Sequence, residues 1–213
     1  MEENKYLKLA RQARAEDNSE DAKAYYSKVR EEDPQNGEAK YFYAYYSLYE
    51  GKNIEIPSKF ANLCKAVIPA IKLVKDSEMS KEDQLTSIEE IVNSFVPETW
   101  ALNRYMNGKN HETKIGDSYV KVFDNGAITS CGKGGMSTIK EVGNLLDSLY
   151  VADPKSKSLA VVAWKEYVSL SQKWYGWAVK GDAEIYAEKI KKIDPSYEMP
   201  AKAGCISFAN TKK

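Results

Sequence analysis

The chain has few of the residues from which catalytic and metal sites are built. Its 213 residues include one histidine, His111, and three widely separated cysteines, Cys64, Cys131 and Cys205. A zinc site needs several such ligands at close spacing, and a Ser-His pair needs a histidine placed by partners. Carboxylate runs such as residues 31–33 more often mark a solvated helix face than an acid/base pair. The sequence therefore predicts no catalysis, no metal and no cofactor.

An excess charge of one sign and long apolar runs are also missing. The chain carries 31 basic and 31 acidic residues, whereas nucleic-acid or anionic-membrane binding usually leaves a basic excess. Lys65, Lys72 and Lys75 interrupt the longest apolar stretches, so no segment reads as a membrane span. The start, Met1-Glu-Glu-Asn, is unlike a secretory signal, and the cysteine spacing fits a reducing compartment. We therefore expect a cytoplasmic protein that binds neither nucleic acid nor membranes.

Two segments share a spacing of aromatic, small and proline residues. The first consists of Tyr6, Leu9, Ala10, Ala13, Ala22, Tyr26 and Pro34, and the second of Tyr167, Leu170, Ser171, Trp174, Ala183, Ala187 and Pro195. Small residues let two helices approach closely, and proline ends a helix. The spacing resembles the tetratricopeptide (TPR) repeat, with departures at Ala13, Ser171 and Ala187. Two ordinary helical hairpins whose alanines align are the alternative.

The run from Leu9 to Tyr41 resembles uncharacterised bacterial TPR-like proteins. It begins Leu-Ala-Arg-Gln-Ala-Arg and continues through Asp-Asn-Ser-Glu-Asp-Ala and Asp-Pro. Relatives of this kind often carry an N-terminal zinc ribbon, so the chain either lacks that module or is a piece of a longer protein. The resemblance implies a scaffold that binds a protein or peptide, with no activity to carry over.

These patterns predict one mostly α-helical domain over residues 1–213. TPR-like antiparallel helical hairpins are expected at both ends, with a divergent helical middle and an extended tail; the ranges are 4–34 and 165–195 for the hairpins, 58–106 for the middle and 196–213 for the tail. Prolines 69 and 97 fall inside predicted helices and should kink or break them.

A glycine-rich insertion at residues 107–136 interrupts the helical pattern. It holds half of the 12 glycines. Asn125-Gly126 is the favoured pair for a type I′ turn, and residues 119–123 and 127–131 on either side suit strands. The sequence therefore predicts a small β-hairpin near residues 114–132, with disorder as the alternative. Helix is expected to resume at Thr138.

Tyrosine is concentrated in one stretch of 25 residues, which holds seven of the 15 tyrosines. Three of them step by four and so share a helix face. In TPR-like units the inner helices line a concave groove, and the resemblance places two arginines of the first inner helix beside these tyrosines. Tyrosine and arginine are common at binding hot spots, and arginine binds carboxylates. The prediction is a groove for an acidic or aromatic peptide, formed by Arg11, Arg14, Tyr41, Tyr45 and Tyr49. Core packing of the tyrosines is the alternative.

The run Cys131-Gly-Lys-Gly-Gly-Met-Ser-Thr is a second candidate site. It follows a predicted strand and opens a predicted helix, where backbone N–H groups can bind phosphate. Its spacing fits neither a P-loop nor G-x-G-x-x-G, and a flexible connector explains the glycines equally well. The alternative function is a phosphate- or nucleotide-binding protein or enzyme that uses Gly132, Lys133, Gly134, Gly135 and Ser137.

Overall fold

The computed structural model describes residues 4–50, 55–108, 111–115, 118–122, 125–173 and 182–201. Between residues 103 and 131 it describes the backbone only. This part of the chain is mostly helical. Its helices are α1 (Lys5–Ala15), α2 (Ser19–Glu32), α3 (Gly37–Tyr46), α4 (Ile56–Asp76), α5 (Lys81–Gly108), α6 (Asn125–Leu149), α7 (Pro154–Lys173) and α8 (Asp182–Ile193). Two short strands, β1 (His111–Ile115) and β2 (Ser118–Val122), pair in antiparallel fashion.

Asparagine begins each of the first three helices. Asn4, Asn18 and Asn36 stand one position before α1, α2 and α3. Each side-chain oxygen accepts a hydrogen bond from a backbone N–H of the first turn, at 2.9 to 3.2 Å. These N–H groups have no partner within the helix, so the asparagine supplies one. The starts of α1, α2 and α3 are therefore fixed by local sequence.

The helices pack in chain order. Each helix contacts the next, and α3 also contacts α5, α5 contacts α7, and α4 contacts α6. At both ends, side chains also link helices that are two places apart. Arg11 of α1 binds Glu38 of α3, and Asn144 of α6 donates a hydrogen bond to Tyr186 of α8. We call α1, α3, α5 and α7 the odd layer. Most helix contacts within the described ranges therefore join helices that are one or two places apart in the chain.

Apolar stripes at helical spacing form the core. In α4, Phe60, Leu63, Val67 and Ile71 are all fully buried, as their 3.6-residue period predicts. Helices α4 and α5 run on through Pro69 and Pro97, both of which are exposed. The sequence predicts a break or bend at Pro97; the helix is not broken there, and a bend at Pro97 or a kink at Pro69 stays a prediction.

Both segments with the repeat spacing form helix pairs. Helices α1 and α2 pack together over Ala10 and Ala22, which are fully buried, and α7 packs on α8 over Ala183. That the two pairs are copies of one repeat stays a prediction. Trp174 and residues 202–213 of the predicted tail lie outside the described residues.

Overpacking the first pair should destabilise the chain. A leucine in place of Ala22 adds a branched side chain where α1 and α2 leave no space. We expect Ala22→Leu to lower the free energy of unfolding by roughly 1–3 kcal/mol in a urea titration. Ala24→Leu on the exposed side of the same helix is the matched control. Equal unfolding midpoints for the two variants would contradict close packing at Ala22.

The β-hairpin predicted near residues 114–132, with its turn at Asn125-Gly126, is wrong, because β2 pairs with β1 and not with residues 127–131. Helix α6 begins at Asn125, so the Asn125-Gly126 pair and residues 127–131 belong to its first turns. The helix also starts well before Thr138. A Cβ on Gly135 would lie 2.8 Å from the Phe60 ring. Glycine has low helix propensity, but close packing of α6 on α4 requires it here and outweighs that preference.

Candidate functional site

Glu38, in the first turn of α3, is a buried carboxylate with partners on two other helices. Its side chain is 3% exposed. Oε2 accepts hydrogen bonds from Arg11 Nη2 at 2.6 Å and from Arg11 Nε at 3.0 Å. Oε1 accepts from Tyr26 Oη at 2.9 Å. A buried charge needs such pairing, so this carboxylate joins α1, α2 and α3.

Arg14 links the same cluster to α5. Its Nη2 lies 2.6 Å from Glu90 Oε2, and its Nη1 lies 3.6 Å from Glu38 Oε1. The guanidinium carbon is 4.1 Å from the centre of the Phe42 ring. Burial alone would lower the pKa of Arg14, but the surrounding acidic groups of Tyr26, Glu38 and Glu90 raise it. Arg14 therefore stays charged.

The two arginines predicted to bind a peptide already hold carboxylates of their own chain. Arg11 binds Glu38, and Arg14 binds Glu90. An acidic ligand would have to displace a bidentate or charge-assisted contact to reach either one. Acid recognition by Arg11 and Arg14 stays a prediction, and these intramolecular contacts would compete with it.

Tyr41 belongs to the core. It is fully buried, and a hydrogen bond of 2.9 Å joins its hydroxyl to Ser94 Oγ. Its ring meets Phe42 edge-on at 5.0 Å and stacks on Tyr45 at 6.0 Å, measured between ring centres. Burial raises the pKa of Tyr41. At this position the alternative of core packing is the correct one.

Tyr45 and Tyr49 reach the surface of the odd layer. Tyr45 is half-buried, whereas Tyr49 is 58% exposed. The Tyr49 hydroxyl donates a hydrogen bond to Glu98 of α5. Burial raises the pKa of Glu98, although the hydroxyls of Tyr49 and Tyr45 act in the opposite direction. We call Tyr45, Tyr49 and Glu98 the tyrosine–glutamate patch. It combines two aromatic rings with one partly desolvated carboxylate.

The sequence reasoning missed the acidic half of this face. Glu90, Ser94 and Glu98 are spaced by four residues on α5, the same spacing as the three tyrosines that begin at Tyr41. That spacing puts them on one helix face. The signal was present in the sequence, but nothing local indicated that α5 would lie beside α3.

The glycine run of the second candidate site lies inside α6. Gly132 and Gly135 are buried, and Lys133, Gly134 and Ser137 are exposed. Their backbone N–H groups belong to the third and fourth turns of the helix, where they bond to carbonyls of the preceding turn. The helix N-terminus that this phosphate site requires is absent from these residues, so the predicted loop is wrong.

In the described part of the chain, no group of three or more His, Cys, Asp or Glu residues is placed to hold a metal ion. No helix in these ranges combines the length and the apolar character that crossing a bilayer requires. The chain was also compared with known proteins. No protein-family profile, curated protein or solved structure matches it.

Proposed function

We propose that the chain is a cytoplasmic, non-catalytic TPR-like module that binds a protein or peptide segment at the odd layer. One observation carries the proposal: Tyr49, a large aromatic side chain, is 58% exposed beside half-buried Tyr45. Tyrosine is one of the residue types that are enriched at binding hot spots. Stacked helical hairpins present such surfaces along one layer.

The patch is also held in place before any ligand arrives. Tyr45 stacks on Tyr41 at 6.0 Å and meets Tyr46 edge-on at 5.4 Å between ring centres. Tyr49 is tethered to Glu98 through its hydroxyl. Side chains that are ordered in the free protein lose less conformational entropy on binding. This order favours recognition of a partner side chain over a passive surface role.

Loss of the Tyr49 ring should weaken peptide binding. Twelve-residue peptides are selected by display on the full chain, and the best binders are titrated against Tyr49→Ala. If Tyr49 is a hot spot, the dissociation constant should rise by at least roughly thirtyfold, which corresponds to about 2 kcal/mol.

Tyr43→Ala is the matched control for this titration. Tyr43 lies on α3, shortly before the turn that holds Tyr49. Its ring faces Arg30, whose guanidinium carbon is 4.2 Å from the ring centre. Binding to this variant should stay unchanged. Selected peptides that bind the wild type and Tyr49→Ala equally well would refute the proposed function.

A further inference from the structure

The structure assigns a charge preference to the tyrosine–glutamate patch: we infer that it binds a lysine or arginine side chain of the partner. This inference rests on the proposed function and reverses the charge expected from the sequence, which predicted recognition of an acidic element by Arg11 and Arg14. It concerns Glu98 and the two tyrosines that contact it.

Three carboxylates of α3 and α5 are paired with cations of the chain. Glu38 binds Arg11 at 2.6 Å, Glu90 binds Arg14 at 2.6 Å, and Glu89 binds Lys155 of α7 at 2.7 Å. Glu98 differs, because its partners within the described ranges are the hydroxyls of Tyr49 and Tyr45, with no cation among them.

The chemistry of the patch suits a basic side chain. A partly desolvated carboxylate forms charge-assisted hydrogen bonds with an ammonium or guanidinium group. Tyrosine rings attract the same cations through their faces. The chain already uses this combination internally, since Arg14 binds Glu90 while its guanidinium lies 4.1 Å from the Phe42 ring centre.

An acidic side chain would meet the opposite situation. It would bring a second negative charge against Glu98, which burial already makes harder to ionise. Like charges in a partly desolvated site repel strongly. The neighbouring arginines do not relieve this repulsion, because Glu38 and Glu90 hold them.

Three pools of fluorescent twelve-residue peptides test the inference on the full chain. Each pool carries aromatic residues at random positions, together with Lys/Arg, with Gln, or with Asp/Glu. We expect the basic pool to bind about tenfold more tightly than the neutral pool. Glu98→Gln should abolish this preference, and Glu98→Lys should transfer it to the acidic pool. Glu82→Gln, on an exposed site of the same helix, should retain it.

The outcomes separate this inference from the proposed function. A wild-type chain that binds the neutral or acidic pool as tightly as the basic one overturns the charge preference. So does a basic preference that survives in Glu98→Gln. If either result is found while Tyr49→Ala still weakens the binding of neutral peptides, the proposed function stands and only the charge preference is refuted. If no pool responds to Tyr49→Ala or Glu98→Gln, both are refuted. Circular dichroism of each variant checks that it is folded.

Discussion

Replacing Glu38 with alanine is expected to lower the free energy of unfolding by about 3 kcal/mol. The substitution leaves Arg11 without its carboxylate and Tyr26 without its hydrogen-bond acceptor. Removing one member of a buried ion pair is costly because the other charge stays desolvated. The value is placed at the low end of the usual range, because the Arg11 side chain is 34% exposed and water partly solvates it. Urea unfolding followed by circular dichroism measures the change.

Two further variants show whether the charge or the hydrogen bond matters. Tyr26→Phe removes one neutral hydrogen bond to Glu38 and should cost about 1 kcal/mol. Arg11→Ala combined with Glu38→Ala should cost less than the sum of the single changes, because the pair is removed together. A Glu38→Ala variant as stable as Tyr26→Phe would show that the ion pair does not hold α1 to α3.

Replacing Gly37 with alanine is the second large effect that we expect. Gly37 begins α3 against α4, and a Cβ there would lie 2.4 Å from the Ala70 carbonyl oxygen and 2.8 Å from the Val74 backbone nitrogen. Backbone atoms cannot rotate away as a side chain can, so α3 or α4 has to shift. Overpacking of this kind costs roughly 1–3 kcal/mol.

Gly134→Ala is the opposite case on α6. No atom lies within 4 Å of a Cβ at this exposed helical position. Alanine should therefore stabilise the chain by up to about 1 kcal/mol through its higher helix propensity. Thermal melting of both variants gives the comparison. A Gly37→Ala variant that melts no lower than the wild type would mean that α3 and α4 are further apart than described.

Helices with local signals could be predicted from the sequence. The stripe of α4 and the small residues at Ala10 and Ala22 indicate buried faces directly, and the structure buries them. Residues 125–137 could not be predicted in this way. Their glycines and the Asn-Gly pair favour a turn locally, but packing against Phe60 is a tertiary contact and decides in favour of helix.

At the candidate site too, local sequence does not predict the tertiary contacts. The i, i+4 spacing of Tyr41, Tyr45 and Tyr49 predicts one face, yet it does not tell that Tyr41 is buried and Tyr49 exposed. Arg11 binds Glu38, which is 27 residues away in the chain, and Arg14 binds Glu90, which is 76 residues away. Partners at such separations are determined by how helices stack, which no local pattern contains.

The order of helix contacts also determines how the molecule comes apart. Most helices in the described ranges contact neighbours one or two places along the chain, so we expect local opening to begin at the ends of the chain. At the N-terminal end, α1 reaches past α2 through the Arg11–Glu38 and Arg14–Glu90 contacts. Through Arg11 and Tyr26, Glu38 ties both helices of the first hairpin to α3. Without Glu38 we expect the backbone amides of α1 and α2 to exchange hydrogen faster than those of the remaining helices.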